Sequence, residues 1–356
     1  MKNVLIIQKN IPHYRIEFFN DLNKSKDINL SVFSLNDEHL LSSDSKSYNF
    51  FYKKISQIKL LSFSFYLFRY PNNFKKNDVV IVVGNIRHLH NYFLFVYCKL
   101  RKIKIVWWGI WNMPGRDNAI SNLRKKIASF FDHLILYSDV EKEDALTYLK
   151  KNKNISSFNN SIKLEYKKKL ILKKNNNYFK LLYVGRLTKK PQLDYAINAV
   201  KDLVKKDYKI KLNIVGDGPE YNNLRNLVRE SNLEKYIYFY GSIYEKNILE
   251  KFFSYSDFFI YPGAIGLSIF HSFAYGLPVI THNNKKYQAP EYYLFKNKYN
   301  GLSFQHNDLK DLTYKIEYII NKKEDYMYLK DNSLKTVYEN YTYESSISKF
   351  QNTIIE

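Results

Sequence analysis

The sequence predicts an α/β chain of two doubly wound domains, each a parallel sheet with helices on both faces. Runs such as Val4-Leu5-Ile6-Ile7, 78–83 and Phe258-Phe259-Ile260 are apolar at successive positions, which buries both faces of a strand and implies a covered parallel sheet. These runs alternate with amphipathic stretches of helical length and several of them end in glycine, the pattern of repeated strand, loop and helix units. With 356 residues, of which 45% are apolar, the chain has the size and composition of two globular domains.

Composition narrows the class further. The single cysteine, Cys98, excludes an internal disulfide and fits a reducing, cytoplasmic setting. Val4–Ile7 is too short for the apolar core of a signal peptide and reads as a first buried strand, and the rest of the chain offers no membrane span. The formal charge is +22. Lys-Asn runs such as 150–154 and 173–177 allow two readings, a solvated surface filled by a biased genome or a basic face that attracts an anionic membrane surface or a diphosphate. Nucleic acid is not the expected partner, because zinc-ligand spacings, basic heptads and RNA-binding aromatic motifs are missing from the sequence.

In chain order, the first strand opens at its carboxyl end into Pro12-His13-Tyr14-Arg15, a loop that offers an anionic acceptor or donor an imidazole, a phenol and a guanidinium. A helix through Phe18, Phe19 and Leu22 follows. The stretch 50–76 mixes aromatic and aliphatic residues with lysines, which suits either a helix lying on lipid headgroups or a core-facing helix with its lysines outside. Strands are expected over 78–83 and 102–108, with a helix over 90–100 between them. Arg116 is a candidate contact for an acceptor or phosphate, with a solvated arginine as the alternative.

A second domain starts with a strand over 179–184 that runs into Gly185-Arg186-Leu187-Thr188-Lys189-Lys190-Pro191. Glycine at a strand end, then arginine and lysine before a helix, supplies a diphosphate with close main chain, a bidentate guanidinium and a point charge. Another strand, 211–215, meets Gly216-Asp217-Gly218-Pro219, and a third, 236–240, precedes the loop holding Ile243 and a helix over 245–255. Tyr261 to Ile280 carries no charge. It reads as a strand end, a glycine turn at Gly263 and Gly266, a short helix that places Ser268 and His271 three residues apart, and a stop at Gly276 and Pro278 before a further strand. Pro290-Glu291 lies beyond it, and the remainder reads as helices.

The segment Gly266-Leu267, Ala274 and Gly276-Leu277-Pro278-Val279-Ile280 resembles the signature of the retaining family 4 glycosyltransferases. The resemblance implies a GT-B fold, in which two Rossmann-like domains face a central cleft and a sugar passes from a nucleotide-sugar donor to a glycan or lipid-linked acceptor with retention at the anomeric carbon. It implies an acceptor domain over 1–165, a linker over 166–178, a donor domain over 179–335 and a final helix, 336–356, returning to the first domain. By family position, Arg186 and Lys190 are expected on the diphosphate as catalytic cations, and Gly185, Gly216, Ile243, Gly263, Gly266, Leu267, Ser268, His271 and Glu291 on the donor side. His13, Tyr14, Arg15, Trp108 and Arg116 are expected on the acceptor side. The family's two glutamates fall on Gly263 and His271. An imidazole can still hold ribose hydroxyls, whereas Gly263 offers only main chain. No Asp-x-Asp pair occurs, so neither a metal nor another cofactor is expected. The resemblance further implies surface polysaccharide, lipopolysaccharide or capsule synthesis at the inner face of a membrane. An epimerase or hydrolase on the same scaffold, or a non-catalytic sugar-nucleotide-binding relative, is the alternative.

Overall fold

The carboxyl ends of strands β1 (Lys2–Asn10) and β10 (Phe179–Val184) are the two places around which the chain is wound. In the computed structural model, residues 1–36, 48–70, 73–113, 115, 118–150, 153–163 and 177–355 are described. The chain divides into one unit of Met1–Lys163 with Tyr343–Glu356, and another of Leu164–Thr342. The first contains β1 (Lys2–Asn10), α1 (His13–Leu22), β2 (Ile28–Asn36), β3 (Phe51–Lys54), β4 (Ser56–Leu60), β5 (Phe63–Leu67), β6 (Val79–Val83), α2 (His90–Arg101), β7 (Lys104–Trp108), α3 (Ala119–Ala128), β8 (His133–Leu136), α4 (Asp139–Tyr148) and β9 (Ile155–Ser157). Its sheet has the order β3-β2-β1-β6-β7-β8-β9, with every pairing parallel.

The second unit contains β10 (Phe179–Val184), α5 (Leu193–Lys205), β11 (Ile210–Val215), α6 (Tyr221–Glu230), β12 (Ile237–Phe239), α7 (Lys246–Tyr255), β13 (Phe258–Ile260), α8 (Ser268–Ala274), β14 (Val279–His282), β15 (Gly301–Phe304), α9 (Leu309–Asn321) and α10 (Lys323–Lys335). Its parallel sheet runs β12-β11-β10-β13-β14-β15. In both sheets the winding direction reverses, between β1 and β6 and between β10 and β13. Such a reversal makes successive loops diverge and opens a crevice beyond the strand ends, which is where ligands bind in open α/β sheets.

Alternation within the strands explains the layers. Val4 and Ile6 join one buried cluster, and Leu5 and Ile7 join the cluster on the opposite face. The last helix, α11 (Tyr343–Ile355), packs in the first of these clusters. Phe350 is fully buried and meets Phe18, Trp108 and Phe158 edge-on, with centroids 5.2, 5.1 and 5.4 Å away. The helix starts at Tyr343 and not at 336, because a π-helical turn over Thr336–Asn340 still belongs to the second unit. Most of the expected linker, 166–176, lies outside the described residues.

Two expectations are overturned. The stretch 50–76 is no helix: it forms edge strand β3 and an antiparallel ribbon of β4 and β5. Its period is two. Ile58, Leu60, Phe63, Phe65 and Leu67 lie on one face of the ribbon, and Gln57, Lys59, Ser64 and Tyr66 lie on the other. Strand β15 stands where only helices were expected. Gly301 lets it close on β14, since a Cβ there would lie 2.2 Å from the Val279 carbonyl oxygen. Phe350→Ala is expected to cost about 3–5 kcal/mol, read by urea unfolding, because it removes the ring that closes the cluster around α11.

Candidate functional site

The loops that leave β10, β11, β12 and β13 are joined through their main chains. The Gly185 N–H donates to Val215 O at 3.0 Å, Leu187 N–H to Asp217 O at 2.9 Å and Gly216 N–H to Gly241 O at 2.7 Å. At Gly216 a Cβ would stand 1.9 Å from Gly185 O, so only glycine lets these loops meet. The same holds at Gly263, where a Cβ would stand 1.9 Å from Lys190 O. Its N–H donates to Pro191 O at 2.8 Å. Gly263 was expected to offer its main chain to the donor, but that amide is already used in fastening the β13 loop to the β10 loop.

This fastening sets where the cations stand. Tyr183 is buried, and its hydroxyl donates to Arg186 O at 3.0 Å and is hydrogen-bonded to Tyr261. Burial pushes the Tyr183 phenol well up, so it stays a neutral donor. Arg186 and Lys190 are exposed, and neither forms an ion pair among the described residues. A guanidinium and an ammonium therefore remain unneutralised on the loop that leaves the switch-point strand.

The β13 loop supplies donors of another kind. Gln288 holds it: its Oε1 accepts from Ile265 N at 2.9 Å, and its Nε2 donates to Thr281 Oγ1 at 3.1 Å and His282 O at 2.8 Å. Beyond this latch, the N–H groups of Gly266, Leu267 and Ser268 have no acceptor among the described residues. Glu291 is buried beside them, its Oε2 lying 3.8 Å from the Cβ position that Gly266 lacks. Burial, with a further push from the Glu291 charge, raises the Tyr261 phenol to about 12.

His271 is open to solvent and at the same time densely surrounded by protein, as in a recess, and this surround lowers its pKa to about 4. It is therefore neutral near pH 7, with one N–H donor and one acceptor nitrogen. Phe253 stacks beside it at 6.3 Å. Ile243 is half-buried in the β12 loop, two residues beyond the Gly241 carbonyl that Gly216 engages.

The first unit departs more from expectation. Arg15 is only 3% exposed and is not a loop cation facing solvent. Helix α1 begins at His13 and turns Arg15 inward, where its guanidinium lies over the rings of Trp108, Phe18, Phe158 and Tyr14 at 4.9 to 5.3 Å. It donates to Asn160 Oδ1 at 2.5 Å. Trp108 is likewise a core residue, 2% exposed and packed by Phe19, Phe158 and Phe350. Tyr14 is half-buried. The His13 side chain and Arg116 lie outside the described residues.

Two supporting residues were not legible in the sequence. Glu141, which is buried, accepts from Trp111 N at 2.8 Å and Asn112 N at 3.3 Å, and Arg124 donates to the carbonyls of Ile110 and Trp111, fixing the loop after β7. Gln288 does the equivalent work in the second unit. Glu141 reaches Trp111 across 30 residues and Gln288 reaches Ile265 across 23, so no local motif announces these two contacts.

The glycosyl transferases group 1 model matches residues 165–336. A Haemophilus influenzae protein described as an uncharacterized glycosyltransferase is 26% identical over 254 residues, covering 70% of this chain and 69% of that one. The O-antigen biosynthesis glycosyltransferase WclY of Escherichia coli is 30% identical over 208 residues, which is 56% of this chain and 53% of WclY. Among solved structures, a Staphylococcus aureus TarM mutant in complex with fondaparinux, alpha-GlcNAc-glycerol and UDP covers 100% of both chains with a TM-score of 0.72 at 12% identity. At that identity the likeness is one of fold, and the fold is GT-B.

Two outcomes follow. Restoring the family glutamate by Gly263→Glu is expected to lower the melting temperature and abolish nucleotide binding, because the side chain meets the Lys190 carbonyl. Binding by this variant at wild-type affinity would count against the fastening. In acid, the buried His88, His133 and His282 have folded pKa values lowered by burial to about 4, and His90 to about 3, against 6.5 unfolded. The unfolded chain thus binds more protons between those values, and stability present above pH 6.5 is lost as the pH falls towards 4. Melting temperatures measured across that window are expected to drop steadily.

Proposed function

We propose that this chain, which belongs to the glycosyl transferases group 1 family through residues 165–336, moves a glycosyl unit from a uridine diphosphate sugar to a glycan or lipid-linked acceptor with retention at the anomeric carbon. The observation that carries the proposal is the pairing of two cations, Arg186 and Lys190, with the amides of Gly266 to Ser268, none of them engaged among the described residues, on loops joined to each other at Gly263. Cations and fixed N–H donors are what a departing diphosphate needs.

In this reading, cleavage of the bond between the anomeric carbon and the phosphate oxygen leaves the electron pair on the diphosphate. Arg186 offers that charge a forked pair of donors, Lys190 a point charge, and the loop amides dipoles already in place. Neutral His271 takes the ribose hydroxyls, donating to one and accepting from the other, as the family's glutamate can only accept. Ile243 lies against the base and Glu291 borders the sugar. The acceptor hydroxyl attacks the face that the diphosphate leaves and passes its proton to the departing phosphate oxygen. Support for the donor comes from TarM, solved with UDP, and from the pneumococcal O-GlcNAc transferase GtfA, solved with UDP and GlcNAc. Support for the acceptor class comes from WclY and from the poly(ribitol-phosphate) alpha-N-acetylglucosaminyltransferase of Staphylococcus aureus. Nucleotide sugars are cytoplasmic metabolites, which places the reaction on that side of a membrane.

Arg186→Ala removes an exposed side chain without an ion-pair partner, so the melting temperature is expected to hold. The transfer rate is expected to fall roughly 10²–10³-fold, the loss seen when a preorganised charge-stabilising group is deleted. Undiminished transfer by this variant would sink the assignment, and donor consumption without acceptor at the full rate would favour a hydrolase instead.

A further inference from the structure

The β4–β5 ribbon has an outer face that the other described residues leave largely exposed. The register pairs Ile58 with Phe65 and Leu60 with Phe63 on that face, leaving Ser56 opposite Leu67 as its only polar position. Water-facing ribbon surfaces are ordinarily polar, and a contiguous apolar one marks a contact. The inner face is firmly seated. Tyr66 is 2% exposed, stacks on His90 at 3.9 Å and shares a hydrogen bond with His88 Nε2 at 3.2 Å. Ser64 N–H donates to Arg87 O at 2.9 Å, and Leu89 N–H to Ser64 O at 2.9 Å. The ribbon is therefore a fixed projection.

Its tip is the least expected part. Leu60 and Leu61 are 70% and 96% exposed, and Leu61 takes a left-handed φ of 53°, where asparagine or glycine fits with less strain. The apolar surface continues onto helix α2: Phe65 meets Phe93 edge-on at 5.3 Å, and Phe93, Val96 and Leu100 are exposed at helical spacing, with Leu100 at 80%. In sequence it lies within 48–102, which contains ten Lys and Arg, all exposed, with Lys99 paired to Asp132, and a single acid, Asp78. Asp78 is buried and accepts from Asn3 N and Lys75 N.

We infer that the ribbon tip and the outer face of α2 dock on an anionic lipid surface, the leucines and phenylalanines entering the headgroup layer while the surrounding lysines and arginines meet lipid phosphates. Charge selects this occupant over a second copy of the chain. A two-fold contact would set this excess of cations against its own copy, with Asp78 buried on both sides. Among the described residues no helix is long and apolar enough to cross a membrane, so the docking is peripheral.

The test is flotation with vesicles, with no donor or acceptor present, so that its outcome is independent of the transfer reaction. Wild-type protein is expected to float with vesicles of equal phosphatidylcholine and phosphatidylglycerol, to stay behind with phosphatidylcholine alone, and to be released as salt is raised. The double variant Leu60→Ser, Leu61→Gly relieves the turn and is expected to keep its melting temperature while partitioning about tenfold less, the worth of one buried leucine. Lys53→Gln with Lys54→Gln is expected to weaken binding to anionic vesicles alone. Failure of the wild type to float, flotation of the leucine variant at wild-type level, or a wild-type dimer that this variant loses in sedimentation would each overturn the assignment.

Discussion

Everything in the second unit turns on how closely main chain can approach main chain. At Gly216 and Gly263 the loop leaving β10 lies where a methyl group would have to be, and the amides of both glycines are spent in holding neighbouring loops. The contact contains no side chain that could shift to make room. Arg186 and Lys190 therefore stand on a rigid strip, with Tyr183 fixing the Arg186 carbonyl from below. Preorganisation of this kind matters for charge stabilisation, because donors and cations already in place need not be reorganised when the charge appears.

The same constraint explains why the two family glutamates need not be missed equally. The position of Gly263 has become part of the fastening between loops, so a carboxylate there is excluded by sterics. The position of His271 keeps a polar group, and the surround that lowers its pKa keeps it in the form that both donates and accepts. One departure closes a position, and the other changes which hydrogen bonds it can make.

Much of this was legible in the sequence. The both-sided apolar runs at β1, β6, β10 and β13 announced parallel sheets, and glycine followed by arginine at 185–186 marked the strand end at which the diphosphate is proposed to bind. The ribbon was misread because its aromatics and lysines were weighed as composition, although Ile58, Leu60, Phe63, Phe65 and Leu67 alternate with a period of two. Arg15 and Trp108 were misplaced for a different reason. Strand-end position says that a residue is near a crevice, but which way it faces depends on the helix register, and α1 turns Arg15 into a cage of rings. Gln288 and Glu141 were invisible because the main-chain amides they hold, Ile265 and Trp111, lie 23 and 30 residues away. Charge needed the structure too: +22 is ambiguous as a total, yet the ten cations and one acid of 48–102 accompany an apolar face that the other described residues leave exposed.

The central claim is that loops fastened through glycine present free amides and cations to a diphosphate. Amide hydrogen exchange with and without UDP reads this residue by residue. The N–H groups of Gly216 and Gly263, already engaged, are predicted to exchange slowly in both states, whereas those of Gly266, Leu267 and Ser268 pass from fast to slow when UDP is added. Unchanged exchange at 266–268 with new protection elsewhere, or fast exchange at Gly216 and Gly263 before UDP is added, would contradict the account.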